Sequence, residues 1–200
     1  MFDVVKNWKV YGFDDSVKAS KYPMSVDIDK CTSEVTERTK SLAGCATGTG
    51  HDQFLTGIVV QFDLTFSNKA WVEAERYHFL DFVSSQSTMH RIAKFDLKSQ
   101  CNKYVDRRII EVVQDKINEY NYLSKLESES PARVEAMKEL YLEILYNIPA
   151  GFQLTARMTT NYRQLKTIHQ QRKNHRLPEW REFCRWIETL PYAELIVGDS

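Results

Sequence analysis

Apolar and polar residues alternate over residues 2–12, over 58–66 (IVVQFDLTF) and over 75–83 (ERYHFLDFV), and the last two runs are rich in β-branched and aromatic side chains. A period of two sends successive side chains to opposite faces, so all three read as strands. The later two are expected to pair antiparallel, with SNKA (67–70) opening a helical or irregular turn between them. From Asp106 the period lengthens. Ile109, Val113, Ile117, Tyr120 and Leu123 recur at three- and four-residue steps, as do Val134, Met137, Tyr141, Ile144, Leu145 and Ile148 after Pro131. Such steps place apolar side chains on one helical face. Helices are therefore predicted over 106–126, 131–148, 154–175 and 178–188, with a shorter one over 33–43 that stops at Gly44. Strands come first and helices after, with no repeat or linker. The expectation is one α+β domain over residues 1–200, an antiparallel sheet covered by helices.

Composition narrows the function classes. Lys plus Arg and Asp plus Glu number 27 each, so the formal net charge is zero. A general nucleic-acid or membrane-surface binder needs a positive excess, so neither partner is expected and any anion site must be local. The four cysteines (Cys31, Cys45, Cys101, Cys184) are scattered and read as free thiols. No run approaches the ~18 apolar residues of a membrane helix, and MFDVVKNWKVYGF lacks a signal-peptide pattern. A soluble, cytoplasmic protein is expected.

Three features could carry chemistry. The segment from Arg157 to Arg185 holds eight Lys or Arg residues against two Glu. On a helix, Asn161, Leu165, Ile168 and Arg172 share a face, and the two apolar members turn it inward. A half-buried guanidinium there needs a planar or anionic partner. A solvated basic face packed against acidic neighbours is the commoner reading of such a helix. The second feature is Gln86-Ser-Thr-Met-His90-Arg91 at a strand end, with Ser99 beyond it; taken alone, His90 and Arg91 read as surface residues. The third is Gly50-His51, where Thr49 could cap a helix starting at His51 and free amides would favour an anion. No HExxH, paired Cys/His, Ser-His-Asp or P-loop pattern occurs, so neither a metal nor a protein nucleophile is expected.

In order and spacing, these anchors resemble the flavin-dependent thymidylate synthases. That family carries Gly-His, then Gln-x-x-Arg-His-Arg, seven further residues and a Ser, then a Pro and an Asn-x-Arg-Ser-Leu helix with a further Arg. Here stand Gly50-His51, Gln86-Ser-Thr-Met89-His90-Arg91, Ser99, Pro149, Asn161-Tyr-Arg163-Gln-Leu165 and Arg172, spanning roughly residues 44–185 with an apparent insertion near 67–78. The resemblance implies methylation of a pyrimidine nucleotide, dUMP or a relative. FAD would be the cofactor, NADPH and methylenetetrahydrofolate the co-substrates, and a homotetramer the assembly. It further implies that His51, His90, Arg91, Asn161 and Arg163 contact FAD, and that Gln86, Ser99, Lys103 and Arg172 contact the nucleotide.

Several family positions differ. Met89 replaces the first Arg of Arg-His-Arg, and Lys94, Asp96 and Leu97 replace the Ser and Asn-Glu of the spacer. Cys101 replaces an Arg, although Lys103-Tyr104 looks like the family's Arg-Tyr displaced by two residues, and Leu145 replaces the Arg before Pro149. His175 sits one residue away from a family His. A family-fold protein that binds flavin or nucleotide without methylating, or serves in assembly, is the alternative expectation.

Overall fold

Val59–Ser67 buries alternate residues, with Val60, Phe62, Leu64 and Phe66 fully enclosed. Among the described residues it is the second of four strands: β1 (Val5–Tyr11), β2 (Val59–Ser67), β3 (Asp81–Ser85) and β4 (Gln153–Asn161). The helices are α1 (Phe13–Ala19), α2 (Glu37–Ala43), α3 (Asn68–Ala74), α4 (Thr88–Arg91), α5 (Leu97–Gln100), α6 (Arg107–Ser124), α7 (Pro131–Tyr146), α8 (Tyr162–Arg172), α9 (Pro178–Ile187) and α10 (Glu194–Val197). These elements come from a computed structural model that describes residues 4–46, 48–126 and 130–198.

The strands form one antiparallel sheet in the order β1-β2-β4-β3, the α+β arrangement expected. β1 pairs with β2 from Val5↔Leu64 to Tyr11↔Val59, with an irregularity between Lys6 and Lys9. Asn7 occupies that bulge with φ 51°, and its amide donates to Asp63 Oδ2 at 2.7 Å. Asn tolerates the left-handed region better than most residues, so the bulge falls at an affordable position.

Two expectations change. The strand expected over 75–83 lies at Asp81–Ser85 and borders β4, not β2. Ser67 ends β2 because its hydroxyl accepts from the Ala70 N–H (3.3 Å), and α3 begins there instead of a hairpin. The helix expected over 154–175 starts only at Tyr162. Residues 153–161 have buried Ala156, Met158 and Thr160 at a period of two, and β-branched Thr155, Thr159 and Thr160 suit a strand. Asn161 is therefore not on the helical face with Arg172. It is the N-cap of α8, accepting from the Gln164 N–H at 2.9 Å.

The chain forms two compact units. The first comprises residues 1–65, 73–84 and 156–200. Its core gathers Val60, Phe62 and Leu64 of β2, Leu165 and Ile168 of α8, and Trp180, Phe183 and Ile187 of α9. Fully burying each such side chain stabilises by about 1.5–3 kcal/mol. The second unit comprises residues 66–72 and 85–155. There α6 and α7 close over Ile92, Leu97 and Phe152 with Val113, Ile117, Leu140 and Ile144. Asp106 caps α6 through the Arg108 N–H, and Ser130 precedes Pro131 as the cap of α7. No helix among the described residues is long and apolar enough to cross a membrane.

Candidate functional site

In the first unit, the segment before β2 is fastened to α8 by charge. Gly48 and Gly50 take positive φ (94° and 80°), which glycine adopts without steric cost. The helix expected to start at His51 is a single 3-10 turn, Gln53–Gly57. Thr49 does not cap it; its hydroxyl donates to the Ala46 carbonyl (2.9 Å). A turn this short has no dipole to offer an anion. The anchoring residue is the neighbour of exposed His51: Asp52, whose side chain is only 1% exposed.

Asp52 accepts from Arg163 Nε and Lys166 Nζ, each at 3.0 Å. Buried Lys166 also donates to the carbonyls of Ala43 (2.6 Å) and Cys45 (2.8 Å), so its three protons have three acceptors. Burial pushes the Asp52 carboxyl up, but the hydrogen bonds and charges of Lys166 and then Arg163 outweigh it and hold the group below its usual range. Asp52 belongs to none of the three sequence features, and Lys166 only to the basic segment as a whole. The available signal was Lys166 beside buried Leu165, on the inward side of α8. Arg163 bonds Asp52 through Nε and keeps 32% of its side chain exposed, so guanidinium donors remain for an anion.

At the other end of α8, Arg172 is half-buried and paired. Its NH1 donates to Glu73 (2.9 Å) and its Nε to the Tyr77 hydroxyl (2.8 Å). The planar or anionic partner expected for it is thus present inside the chain: the Glu73 carboxylate, the Tyr77 phenol and the Trp180 ring. Glu73 and Tyr77 lie in the stretch read as an insertion.

The second unit holds the remaining candidates. Gln86 is tied twice to Thr155: its N–H donates to the Thr155 carbonyl (3.0 Å), and its Oε1 accepts from the Thr155 N–H (2.9 Å). His90 and Arg91 are exposed on the last turn of α4. Ser99 donates to the Asp96 carbonyl (3.1 Å), and Lys103 lies 5.2 Å from the Tyr104 ring centre.

The departures from the family pattern have structural jobs of their own. Leu97 is fully buried in the core of this unit, and Leu145 packs against it. Cys101 forms an isolated backbone bridge with Phe152. Met89 stays 61% exposed, with its carbonyl accepting from the Tyr141 hydroxyl (3.1 Å). Among the described residues no group of three or more His, Cys, Asp or Glu is placed to hold a metal ion.

No family model matches the chain, and no curated protein matches it. Solved structures do. Thymidylate synthase X from Helicobacter pylori, crystallised with FAD and dUMP, superposes with a TM-score of 0.66 at 12% identity, over 98% of this chain and 96% of that one. A second structure of the H. pylori flavin-dependent thymidylate synthase, complexed with FAD and dUMP, gives 0.66 at 11% identity, over 98% and 97%. The UMP/dUMP methylase PolB from Streptomyces cacaoi, bound with 5-Br dUMP, gives 0.52 at 14% identity, over 92% and 89%. At these identities the likeness establishes a shared fold.

Proposed function

We propose that this chain is a flavin-dependent methylase of a pyrimidine nucleotide, dUMP or UMP. The observation that carries the reading is the near-full-length likeness to two kinds of protein with related chemistry, a thymidylate synthase holding FAD and dUMP and a UMP/dUMP methylase. The order of anchors in the sequence supports it independently.

The residues present fit FAD. In the first unit, exposed His51 after a left-handed glycine and half-exposed Arg163 offer charge and hydrogen bonds to a diphosphate; in the second, exposed His90 and Arg91 offer the same chemistry. Asn161 spends Oδ1 on capping α8 and keeps its amide nitrogen as a donor. When bound, the flavin supplies the redox and one-carbon relay chemistry, with NADPH and methylenetetrahydrofolate as co-substrates. The chain's own task is to bind and orient. Asp52 and Lys166 fix the His51 loop against α8. Gln86, locked to Thr155, and Ser99 and Lys103 present polar groups to the nucleotide. The proposed assembly is a homotetramer, and light scattering that returned a 23.4 kDa monomer would argue against it.

A second reading, binding without methylation, is favoured by one specific observation. Leu97 is buried in the core of the second unit and half-buried Cys101 and Leu145 pack against it, so those positions supply no charged ligand. Denaturing extraction of the purified protein, with mass spectrometry of the released small molecules, tests what both readings share. Flavin and a pyrimidine nucleotide are expected in the extract. A protein that arrives without flavin and takes up none when FAD is added overturns both.

A further inference from the structure

The partners of Arg172 describe an anion site filled from within. The guanidinium carbon lies 4.9 Å from the Trp180 ring centre and 5.6 Å from that of Tyr77, both within cation–π reach. Two aromatic rings and the Tyr77 hydroxyl fix its plane, and Glu73 supplies the negative charge. The oxygen of Glu73 that takes Arg172 also takes His175 Nε2, at 3.2 Å. More positive charge stands near. Burial most of all lowers the His175 pKa, Glu73 opposes that, and Arg172, Arg181 and Arg176 reinforce it. One carboxylate oxygen therefore takes the Arg172 guanidinium from the end of α8 and the His175 ring from the turn after it.

This arrangement suits an anionic oxygen in general. A guanidinium held in plane presents parallel donors that match phosphate as well as carboxylate. The pair is not sealed in, since the Arg172 and Glu73 side chains keep 14% and 18% of their surface. An outside anion could replace Glu73 by a side-chain movement, without unfolding the core. A tethered competitor has an effective concentration on the order of millimolar, so it can set the affinity of whatever else the site takes.

We propose that Glu73 is the resident anion of a phosphate-binding site formed by Arg172 and His175, and that it competes with the phosphate group of an incoming nucleotide. The nucleotide as ligand rests on the function proposed above; the competition with phosphate does not. In the bound state the ligand's phosphate accepts from Arg172 NH1 and Glu73 turns to water. The apparent dissociation constant is the intrinsic one divided by the fraction of molecules in which Arg172 is released.

Calorimetric titration with dUMP, and separately with inorganic phosphate, at one fixed low ionic strength tests this on wild type, Glu73→Gln, Glu73→Asp and the double variant Glu73→Gln/Arg172→Ala. Glu73→Gln keeps the side-chain volume and removes the charge, and it should bind both probes on the order of tenfold tighter than wild type. Glu73→Asp withdraws the carboxylate without removing it and should give a smaller gain in the same direction. The double variant should lose the gain. A gain for phosphate without one for dUMP supports the site and counts against the nucleotide reading. Unchanged or weaker binding of both probes by Glu73→Gln and Glu73→Asp overturns the proposal, while dUMP binding by wild type in the same series leaves the nucleotide reading standing. A lowered melting temperature with unchanged affinities overturns it too, because Glu73 is then only a structural partner of Arg172. Should Glu73→Gln fail to fold, Glu73→Asp decides.

Discussion

Lys166 Nζ lies 3.0 Å from Asp52 Oδ2, and both side chains are buried. This ion pair joins the loop that carries His51 to the helix that carries Asn161 and Arg163 at its start, so three of the five proposed cofactor contacts depend on it. Breaking a buried pair leaves an uncompensated charge, which typically costs about 3–5 kcal/mol. Lys166→Met removes the ammonium and leaves Arg163 as a partner for Asp52, so the lower end of that range is expected in a urea melt. A loss within about 0.5 kcal/mol, the scale of an ordinary surface substitution, would show that the pair fastens nothing.

The same pair predicts an acid limb of stability. The Asp52 carboxyl is held below its usual range in the folded chain, whereas an unfolded Asp titrates near ~3.9. Below that value the unfolded chain takes up the proton first, so stability falls as pH falls. The contribution of Asp52 is complete above about pH 4 and is lost progressively below it, down through the folded value. Urea midpoints of wild type and Asp52→Asn measured between neutral pH and pH 3 should converge toward the acid end. A difference that is constant with pH would contradict the ionised pair.

Asn161 has two assignable roles that one substitution separates. As the N-cap of α8 it accepts from the Gln164 N–H, and its loss to Ala should cost about 0.5–2 kcal/mol. Asn161→Asp keeps the cap acceptor but replaces the amide nitrogen with a second oxygen. Stability should be retained in Asn161→Asp while flavin content falls. Equal flavin content in wild type and Asn161→Asp would remove Asn161 from the cofactor contacts.

Much of this was legible in the sequence, and the failures have particular causes. The amphipathic stripes of α6 and α7 were clear because Val113, Ile117 and Ile144 recur on one face, and Asp106 and Pro131 mark helix starts. β4 is hard to read from sequence because Arg157 runs into the basic residues of α8 that follow it, while the decisive period-two burial of Ala156, Met158 and Thr160 is short. The position of β3 depends on pairing with a strand roughly seventy residues later, which no local pattern encodes. In the site, the anchors that matched a known order were visible. Glu73, Asp52 and the burial of Lys166 were not, because a single charged residue shows its burial only once its partner is in place.

The departures from the family pattern predict opposite responses. Leu97 is fully buried, so Leu97→Ala should destabilise by about 2–5 kcal/mol. Met89 is largely exposed, so Met89→Arg should change stability by no more than about 0.5 kcal/mol. If the proposed site is right, the added guanidinium next to His90 should strengthen flavin or nucleotide binding by about 1.5–3 kcal/mol, the scale of one charged hydrogen bond. Thermal melts paired with calorimetric titration of both variants check the two halves. Unaltered affinity in a stable Met89→Arg protein would place the site elsewhere.

The most direct test of the proposed function is turnover. The purified protein, supplied with FAD, NADPH, methylenetetrahydrofolate and either dUMP or UMP, is incubated and the nucleotides are resolved by mass spectrometry. The account predicts a methylated pyrimidine nucleotide from at least one of the two, formed only when flavin is present. Flavin-loaded protein that binds nucleotide and yields no methylated product from either substrate would contradict it, and would leave the fold in service of binding alone.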